Sequence, residues 1–213
     1  MTKDIVITGF ARTPFGSFQG ALAALTAPKL GSHAIKEALL RSKVSPDQVS
    51  EVILGNVLTG GVGQAPARQA LIGAGLPNSI PALTINKVCG SGMKAIMLGA
   101  QSVLLGESEI VVAGGQESMS NAPYLMPAAR GGFRMGNGQV VDSMIHDGLW
   151  DPYHNQHMGN CGELCAREMQ FTREAQDAFA IESFKRALQA QAGNKFANEI
   201  APISLAGAKA KAC

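Results

Sequence analysis

Short apolar runs alternate with segments of helical apolar spacing along the first half of this chain, and this alternation constrains the fold most. Four such runs stand at residues 4–9, 51–55, 81–88 and 109–113. Continuous apolar runs of this length are typical of strands that are buried on both faces of a sheet. Parallel strands need long crossover connections, which the helical segments supply. We therefore predict a layered α/β fold with a parallel-rich sheet over residues 1–118.

Capping residues and apolar periodicity locate the helices. One helix is predicted from Thr26, which precedes Pro28, a second over 64–73, and a third directly after Cys89. From residue 119 the chain becomes rich in Gly, Pro, Met and Asn, which indicates a second, loop-rich domain over 119–213. Within it we predict a hairpin at Asn137-Gly138, helices over 157–169 and 172–192, and a strand over 200–205.

Composition excludes several function classes. The 213 residues are 46% hydrophobic with a net charge of +2, which is a globular composition with no requirement for nucleic acid or an acidic membrane surface. The most apolar window, 95–106, is too short to span a bilayer. The beginning of the chain lacks a secretory pattern, and four cysteines make no disulfide framework. We expect free thiols and a cytoplasmic location.

Cys89 is the candidate nucleophile. It lies where the predicted third strand ends and a helix begins, and the free N–H groups of a helix N-terminus stabilise a thiolate. Gly90 and Gly92 leave room for a substrate beside the sulfur, and ligands bind at the carboxyl ends of strands in such sheets. These features fit a thiol that attacks an acyl carbonyl. A buried structural cysteine is the alternative, because cysteine is among the most buried residue types.

Five ordered segments of the chain resemble the thiolases. The segment around Cys89 is similar to the family's nucleophile segment, with Asn86, Gly90, Ser91 and Gly92 in place. The other four segments are residues 11–16, 63–70, 113–120 and 157–163. The match extends to about Leu205, and it implies a thiolase-type layered α/β fold with the N-terminal domain followed by part of a loop domain.

The resemblance implies acyl transfer between CoA thioesters. Cys89 would take the acyl group from acyl-CoA, and the enolate of acetyl-CoA or free CoA would then attack the acyl-enzyme. Leu149, His157 and Met158 would border the acyl and pantetheine pocket. Coenzyme A is then a substrate, and no tightly bound cofactor or metal is expected. The resemblance also implies a homo-oligomer, a dimer or tetramer, with the 133–141 excursion in the assembly contact.

The family's remaining catalytic groups are a histidine, a second cysteine and an asparagine in a C-terminal half that the resemblance does not find here. His33, expected at the surface, His146, expected to be exposed or structural, and Cys213 fit none of those motifs. We therefore expect this chain alone to be inactive in turnover. A non-catalytic partner subunit and a broad-chain 3-ketoacyl-CoA thiolase are the alternatives, although His157-Met158-Gly159 resembles the short-chain acetoacetyl-CoA enzymes more.

A metal site is a rival interpretation of one cluster. His154, His157, Cys161 and Cys165 have spacings that invite a zinc hypothesis. On a straight helix, however, His157 and Cys165 would lie about 12 Å apart along the axis, too far for one ion. We favour a pocket role for His157 and packing roles for the two cysteines. Gly162-Glu163-Leu164 departs from the family's usual Ala-Glu-Asn, and the resemblance implies that Leu164 in place of Asn removes polar contacts there.

Overall fold

The computed structural model describes residues 4–205, and these form two compact units. One unit comprises residues 4–121 together with 199–205, and the other is Ala122–Asn198. The predicted strand over 200–205 and Cys89 belong to the first unit, and the predicted hairpin belongs to the second. Cys213 lies outside the described residues.

The first unit alternates helices and strands in the predicted order. Its elements are α1 (Ala27–Ser42), β1 (Glu51–Gly55), α2 (Pro66–Ala74), β2 (Ala82–Ile85), α3 (Ser91–Leu105) and β3 (Val111–Gly115), with 3-10 turns at Pro46–Gln48 and Met119–Asn121. The three strands are parallel in the order β2-β1-β3, so that Ile53 pairs with Leu83 on one side and Ala113 on the other. The predicted α/β class with a parallel sheet is confirmed.

Local chemistry explains the helix boundaries. Pro28 stands in the first turn of α1, where its missing N–H costs nothing, and Thr26 before it is extended. Helix α2 ends at Gly75, whose φ of +88° is a left-handed conformation that glycine adopts without strain. These ends agree with the helices that the sequence predicts.

The hydrophobic core lies between the sheet and the pair α1 and α2. Its buried members are Ile35, Leu39, Val49, Val52, Leu54, Ala67, Ala70, Leu71, Ala74, Leu76 and Ile80. Helix α3 covers the sheet with small residues instead. A Cβ placed on Gly99 would lie 3.0 Å from Val111 Cγ1, so this glycine lets α3 approach β3 closely. The large side chains of α3 face away from the sheet.

The second unit contains short strands and four helical segments. Its elements are β4 (Tyr124–Leu125), a 3-10 turn (Ala129–Gly131), β5 (Val141–Asp142), α4 (Ser143–Gly148), β6 (Trp150–Asp151), β7 (Gln156–His157), α5 (Met158–Glu168) and α6 (Arg173–Ala192). Helix α6 begins at a Thr172 cap that accepts from Ala175 N, as the predicted helix over 172–192 requires. The strands form two antiparallel pairs, β4 with β5 and β6 with β7.

Two predicted strands are wrong. The run 4–9 is extended but belongs to no sheet, and Ile5, Val6 and Ile7 are 40%, 72% and 77% exposed. A β-branched run forms a strand only when its backbone pairs with a neighbouring strand, and the three-stranded sheet contains β2, β1 and β3 without this run. The predicted strand over 200–205 is reduced to one bridge, Ile200 with Arg12.

The hairpin at Asn137-Gly138 does not form. The flanking residues pair instead further out, where Tyr124 meets Asp142 and Leu125 meets Val141. A Cβ on Gly138 would lie 2.6 Å from the Phe133 ring, so packing of this ring rather than a tight turn shapes the excursion. The role of the excursion in assembly stays a prediction.

Helix α3 is apolar beyond the expected window. The stretch Val88–Leu105 is long and apolar enough, by length and composition alone, to cross a membrane, and it is therefore longer than the predicted apolar window of 95–106. Core helices of globular proteins have the same composition. In such proteins, a helix that is hydrophobic on all sides is normally covered by other parts of the protein. Here its outer face is open among the described residues.

Candidate active site

Cys89 lies on the connection between β2 and α3, as predicted. Strand β2 ends at Ile85, Gly90 is the N-cap residue, and α3 begins at Ser91. The thiol is exposed, so the alternative of a buried structural cysteine is wrong. The connection is a tight turn in which Gly90 N donates to Lys87 O at 3.1 Å and Ser91 N donates to Val88 O at 3.1 Å.

The residue before the nucleophile is strained. Val88 has a φ of +47°, which is rare for a β-branched side chain and costs free energy that the surroundings must supply. Its N–H donates to Asn86 Oδ1 at 2.8 Å, and its carbonyl accepts from the Ser91 hydroxyl at 2.6 Å. The same hydroxyl oxygen accepts from Lys87 N at 2.8 Å. Two short side chains thus hold the turn that presents Cys89.

Close backbone packing places this turn on the sheet. A Cβ on Gly55, the last residue of β1, would lie 2.5 Å from Ser91 Cβ and 2.8 Å from Gly92 N. A Cβ on Gly115, the last residue of β3, would lie 3.4 Å from Gly92 Cα. The N-terminus of α3 therefore rests directly on the carboxyl ends of two parallel strands. This is the edge of a parallel sheet where ligands usually bind.

A buried polar network lies at the same ends of β1 and β3. The carboxylate of Glu117 accepts from Asn56 Nδ2 at 2.7 Å, from Val57 N at 2.8 Å and from Leu58 N at 3.2 Å. Burial raises the pKa of Glu117 above its usual value, opposed by hydrogen bonds from those three groups. Gln116 Nε2 lies 3.5 Å from Asn56 Oδ1.

Local sequence patterns do not indicate this network. Glu117 lies in the family-like segment 113–120, and Asn56 carries no motif of its own. Glu117 and Asn56 stand 61 positions apart in the chain, and no local pattern connects them. A polar residue within two positions of the end of each of two apolar strands, Asn56 after β1 and Glu117 after β3, is the signal that could have found them.

The other predicted site residues lie in the second unit. Leu149 O accepts from Met158 N at 2.8 Å, and His157 pairs with Trp150 between β6 and β7. His157 caps α5, because its Nδ1 accepts from Gly159 N at 2.9 Å, which fixes the tautomer with hydrogen on Nε2. The fold thus brings Leu149, His157 and Met158 together around one strand pair. Cys89 belongs to the first unit.

Most residues of the rival zinc hypothesis make other contacts. His154 Nδ1 lies 2.6 Å from Asp151 Oδ2 on an exposed turn. The hydrogen bond from Tyr153 N–H, and to a smaller extent the one from His154, lowers the pKa of Asp151 below its usual value. Cys161 is half-buried and lies 3.6 Å from Gln156 Nε2, but Cys165 is exposed, so its predicted packing role is wrong. Within residues 4–205, no three His, Cys, Asp or Glu side chains converge as a metal-binding group.

The histidines named as possible substitutes lie elsewhere. His146 is exposed, as expected. His33 is half-buried rather than at the open surface, and its Nε2 lies 3.3 Å from Ala201 O. The chain segment after Glu199 returns across α1 and covers this histidine, which local sequence could not show.

The first unit presents an exposed cysteine on a strained turn at the N-terminus of a helix, and comparison with known families identifies the class of protein. The family described as "Thiolase, N-terminal domain" matches residues 5–213, so the chain belongs to the thiolase family and has the thiolase-type α/β fold.

Several curated proteins are similar over nearly the whole chain. An acetyl-CoA acetyltransferase of Cupriavidus necator is 58% identical over 200 residues, which cover 94% of this chain and 51% of that protein. Acetyl-CoA acetyltransferase 2 of Arabidopsis thaliana is 53% identical over 209 residues, 98% of this chain and 52% of the relative. A Pseudomonas aeruginosa acetyl-CoA acetyltransferase is 54% identical, with 95% and 52% covered. The chain therefore spans about half the length of these relatives.

Proposed function

We propose that this chain supplies the nucleophile of an acetyl-CoA acetyltransferase of the thiolase type. The observation that carries the proposal is the exposed Cys89 thiol on a strained turn at the N-terminus of α3. Glycines clear the space beside it, and the carboxyl ends of β1 and β3 lie directly beneath. The similarity to proteins named acetyl-CoA acetyltransferase supports a short acyl group over the broad-chain alternative.

The first half-reaction follows from nucleophilic thiol chemistry. The Cys89 sulfur attacks the thioester carbonyl of an acyl-CoA, and an acyl–Sγ bond forms as the bond to the CoA sulfur breaks. The thiol proton passes to the departing CoA. In the second half-reaction acetyl-CoA loses an α-proton, and the resulting enolate attacks the acyl carbon as the acyl–Sγ bond breaks. A 3-ketoacyl-CoA is released, and the proton taken from acetyl-CoA returns to the Cys89 sulfur, which restores the thiol. The reverse direction, cleavage by CoA, uses the same steps.

Groups that hold and orient the acyl-CoA are part of the proposal. Leu149, His157 and Met158 border the acyl and pantetheine pocket, and His157 presents an Nε2–H because its Nδ1 is used in the α5 cap. Free CoA thioesters are the substrates, with no resident cofactor.

Proton transfer limits what the chain does alone. The first unit has one histidine among its described residues, His33, which contacts Ala201 O. A missing general base costs about 10²–10⁴ in rate. We propose that the chain of 213 residues acylates at Cys89 but does not complete the condensation or the cleavage.

Acetylation of the chain tests the proposal. Purified chain is incubated with acetyl-CoA near neutral pH and analysed by intact mass and peptide mass spectrometry. We expect a single acetyl group on Cys89 that hydroxylamine removes, and no acetoacetyl-CoA formed. Cys165→Ala is the matched control, because that thiol is also exposed, and it should leave acetylation unchanged.

Equal acetylation of Cys89→Ala would contradict the assigned nucleophile. Steady acetoacetyl-CoA formation by the chain alone would contradict the second part of the proposal.

A further inference from the structure

Glu117 joins two chain segments that the sequence separates widely. It follows β3, and its two carboxylate oxygens accept the consecutive backbone N–H groups of Val57 and Leu58 at 2.8 and 3.2 Å. The third donor is the side-chain amide of Asn56 at 2.7 Å. The carboxylate therefore fixes the direction in which the chain leaves β1.

The orientation of Asn56 is fixed as well. Its Oδ1 faces Gln116 Nε2 at 3.5 Å, so its Nδ2 is left for Glu117. Its backbone N donates to Ile85 O at 3.0 Å, at the end of β2. Asn56 is almost completely buried, and such a residue tolerates few alternative arrangements. The network thus ties together the carboxyl ends of β1, β2 and β3.

The same network reaches the nucleophile turn. The carbonyl of Val57, whose N–H is held by Glu117, accepts from Asn86 Nδ2 at 3.5 Å. Asn86 Oδ1 accepts from Val88 N at 2.8 Å, and Val88 is the strained residue directly before Cys89. One side of the turn is held by Ser91, and the other by Asn86.

We propose that Glu117 is a positioning residue for Cys89, acting through the Val57 backbone and the Asn86 side chain to keep Val88 in its left-handed conformation. The inference rests on the proposed function, because it concerns how that nucleophile is presented. Glu117 does not touch Cys89 itself. Loss of its carboxylate frees the segment after β1, removes the fixed partner of Asn86, and lets the turn relax.

Alkylation of the full chain by iodoacetamide near neutral pH tests the inference without any acyl-CoA. Peptide mass spectrometry gives the rate at Cys89 relative to Cys161 and Cys165 in the same molecule. In Glu117→Ala we expect the Cys89 rate to fall about tenfold relative to the other two, since small displacements of a reacting group cost up to about 10² in rate. Glu117→Gln keeps one oxygen acceptor and should recover part of the loss.

Glu37→Ala is the matched control. It removes a carboxylate that bonds Arg41 at 2.7 Å on α1, outside the network, and should leave the rate ratio unchanged. If Glu117→Ala only lowers the melting temperature while the ratio stays at the wild-type value, the positioning role is wrong. If that variant does not fold, Asn86→Ala decides: a similar fall of the ratio supports the inference, and an unchanged ratio overturns it.

The test separates this inference from the proposed function. Failure of the wild-type chain to accept an acetyl group at Cys89 counts against the proposed function. An unchanged alkylation ratio in the variants counts against the role of Glu117 alone.

Discussion

The two faces of the sheet in the first unit differ in how they are buried. On one face, α1 and α2 cover the strands with large side chains, and Leu71 of α2 is 0% exposed. On the other face, α3 turns Ala95 and Gly99 toward the strands and points large side chains outward, so that Leu105 is 74% exposed. The same sheet therefore has one thick apolar layer and one thin one.

The difference shows that composition and burial are separate properties of a helix. Helix α3 is more apolar than α2, yet α2 carries the core. What matters for the stability of this unit is where the large side chains point. The small residues of α3 serve a different purpose, since they let its N-terminus approach the strand ends that carry Cys89.

Truncation of one leucine on each side should show the largest contrast. Leu71→Ala removes a fully buried side chain and is expected to lower the free energy of unfolding by about 2–5 kcal/mol. Leu105→Ala on the outer side of α3 should change it by no more than about 0.5 kcal/mol. Urea unfolding followed by circular dichroism measures both. Similar losses in the two variants would show that α3 is covered in solution.

A methyl group at the base of α3 should have an intermediate effect. Gly55→Ala places a Cβ 2.5 Å from Ser91 Cβ, which forces the backbone of α3 to shift and costs about 1–3 kcal/mol. Gly162→Ala on α5 is the control: nothing lies within 4 Å of its Cβ, and an alanine there should stabilise by about 0.5–1 kcal/mol. Thermal unfolding compares the two. A neutral Gly55→Ala would mean that α3 is held loosely on the thin face.

The smallest effect concerns pH at the strand ends where the two faces meet. Burial raises the pKa of Glu117 above its usual value of 4.5, so the folded chain holds this proton more tightly than the unfolded chain. Its contribution to stability is present in full below about pH 4.5 and is lost as the pH rises through the raised pKa. Glu117→Gln lacks this dependence. The stability difference, wild type minus variant, should therefore shrink with rising pH; a growing difference would reverse the sign assigned here.

Local signals predicted the elements that local chemistry controls. Strand β1 begins and ends where its apolar run does, and Pro28, Gly75 and Thr172 mark helix boundaries. The position of Cys89 between a strand and a helix followed from the same signals. Pairing partners could not be predicted in this way. The run 4–9 has the composition of a strand but pairs with no other strand. Asn137-Gly138 has a hairpin sequence, but the packing of Phe133 against Gly138 prevents the tight turn.

Long-range polar contacts escaped prediction for a related reason. The bonds from Glu117 to Asn56, Val57 and Leu58 join positions about sixty residues apart, and they exist only because β1 and β3 are neighbours. The left-handed Val88 gives no sequence signal at all, since valine is a residue that avoids this conformation. The division into domains 1–118 and 119–213 stays a prediction.

The Ser91 hydroxyl has one hydrogen, and its two hydrogen-bond partners determine where that hydrogen points. Lys87 N–H can only donate to it and the Val88 carbonyl can only accept from it, so its single hydrogen is committed to Val88. Although Ser91 stands two positions from the nucleophile, it has no hydrogen left to offer a thioester oxygen or a departing sulfur. Ser91 therefore stabilises the turn and does not donate a proton in any chemistry that Cys89 performs.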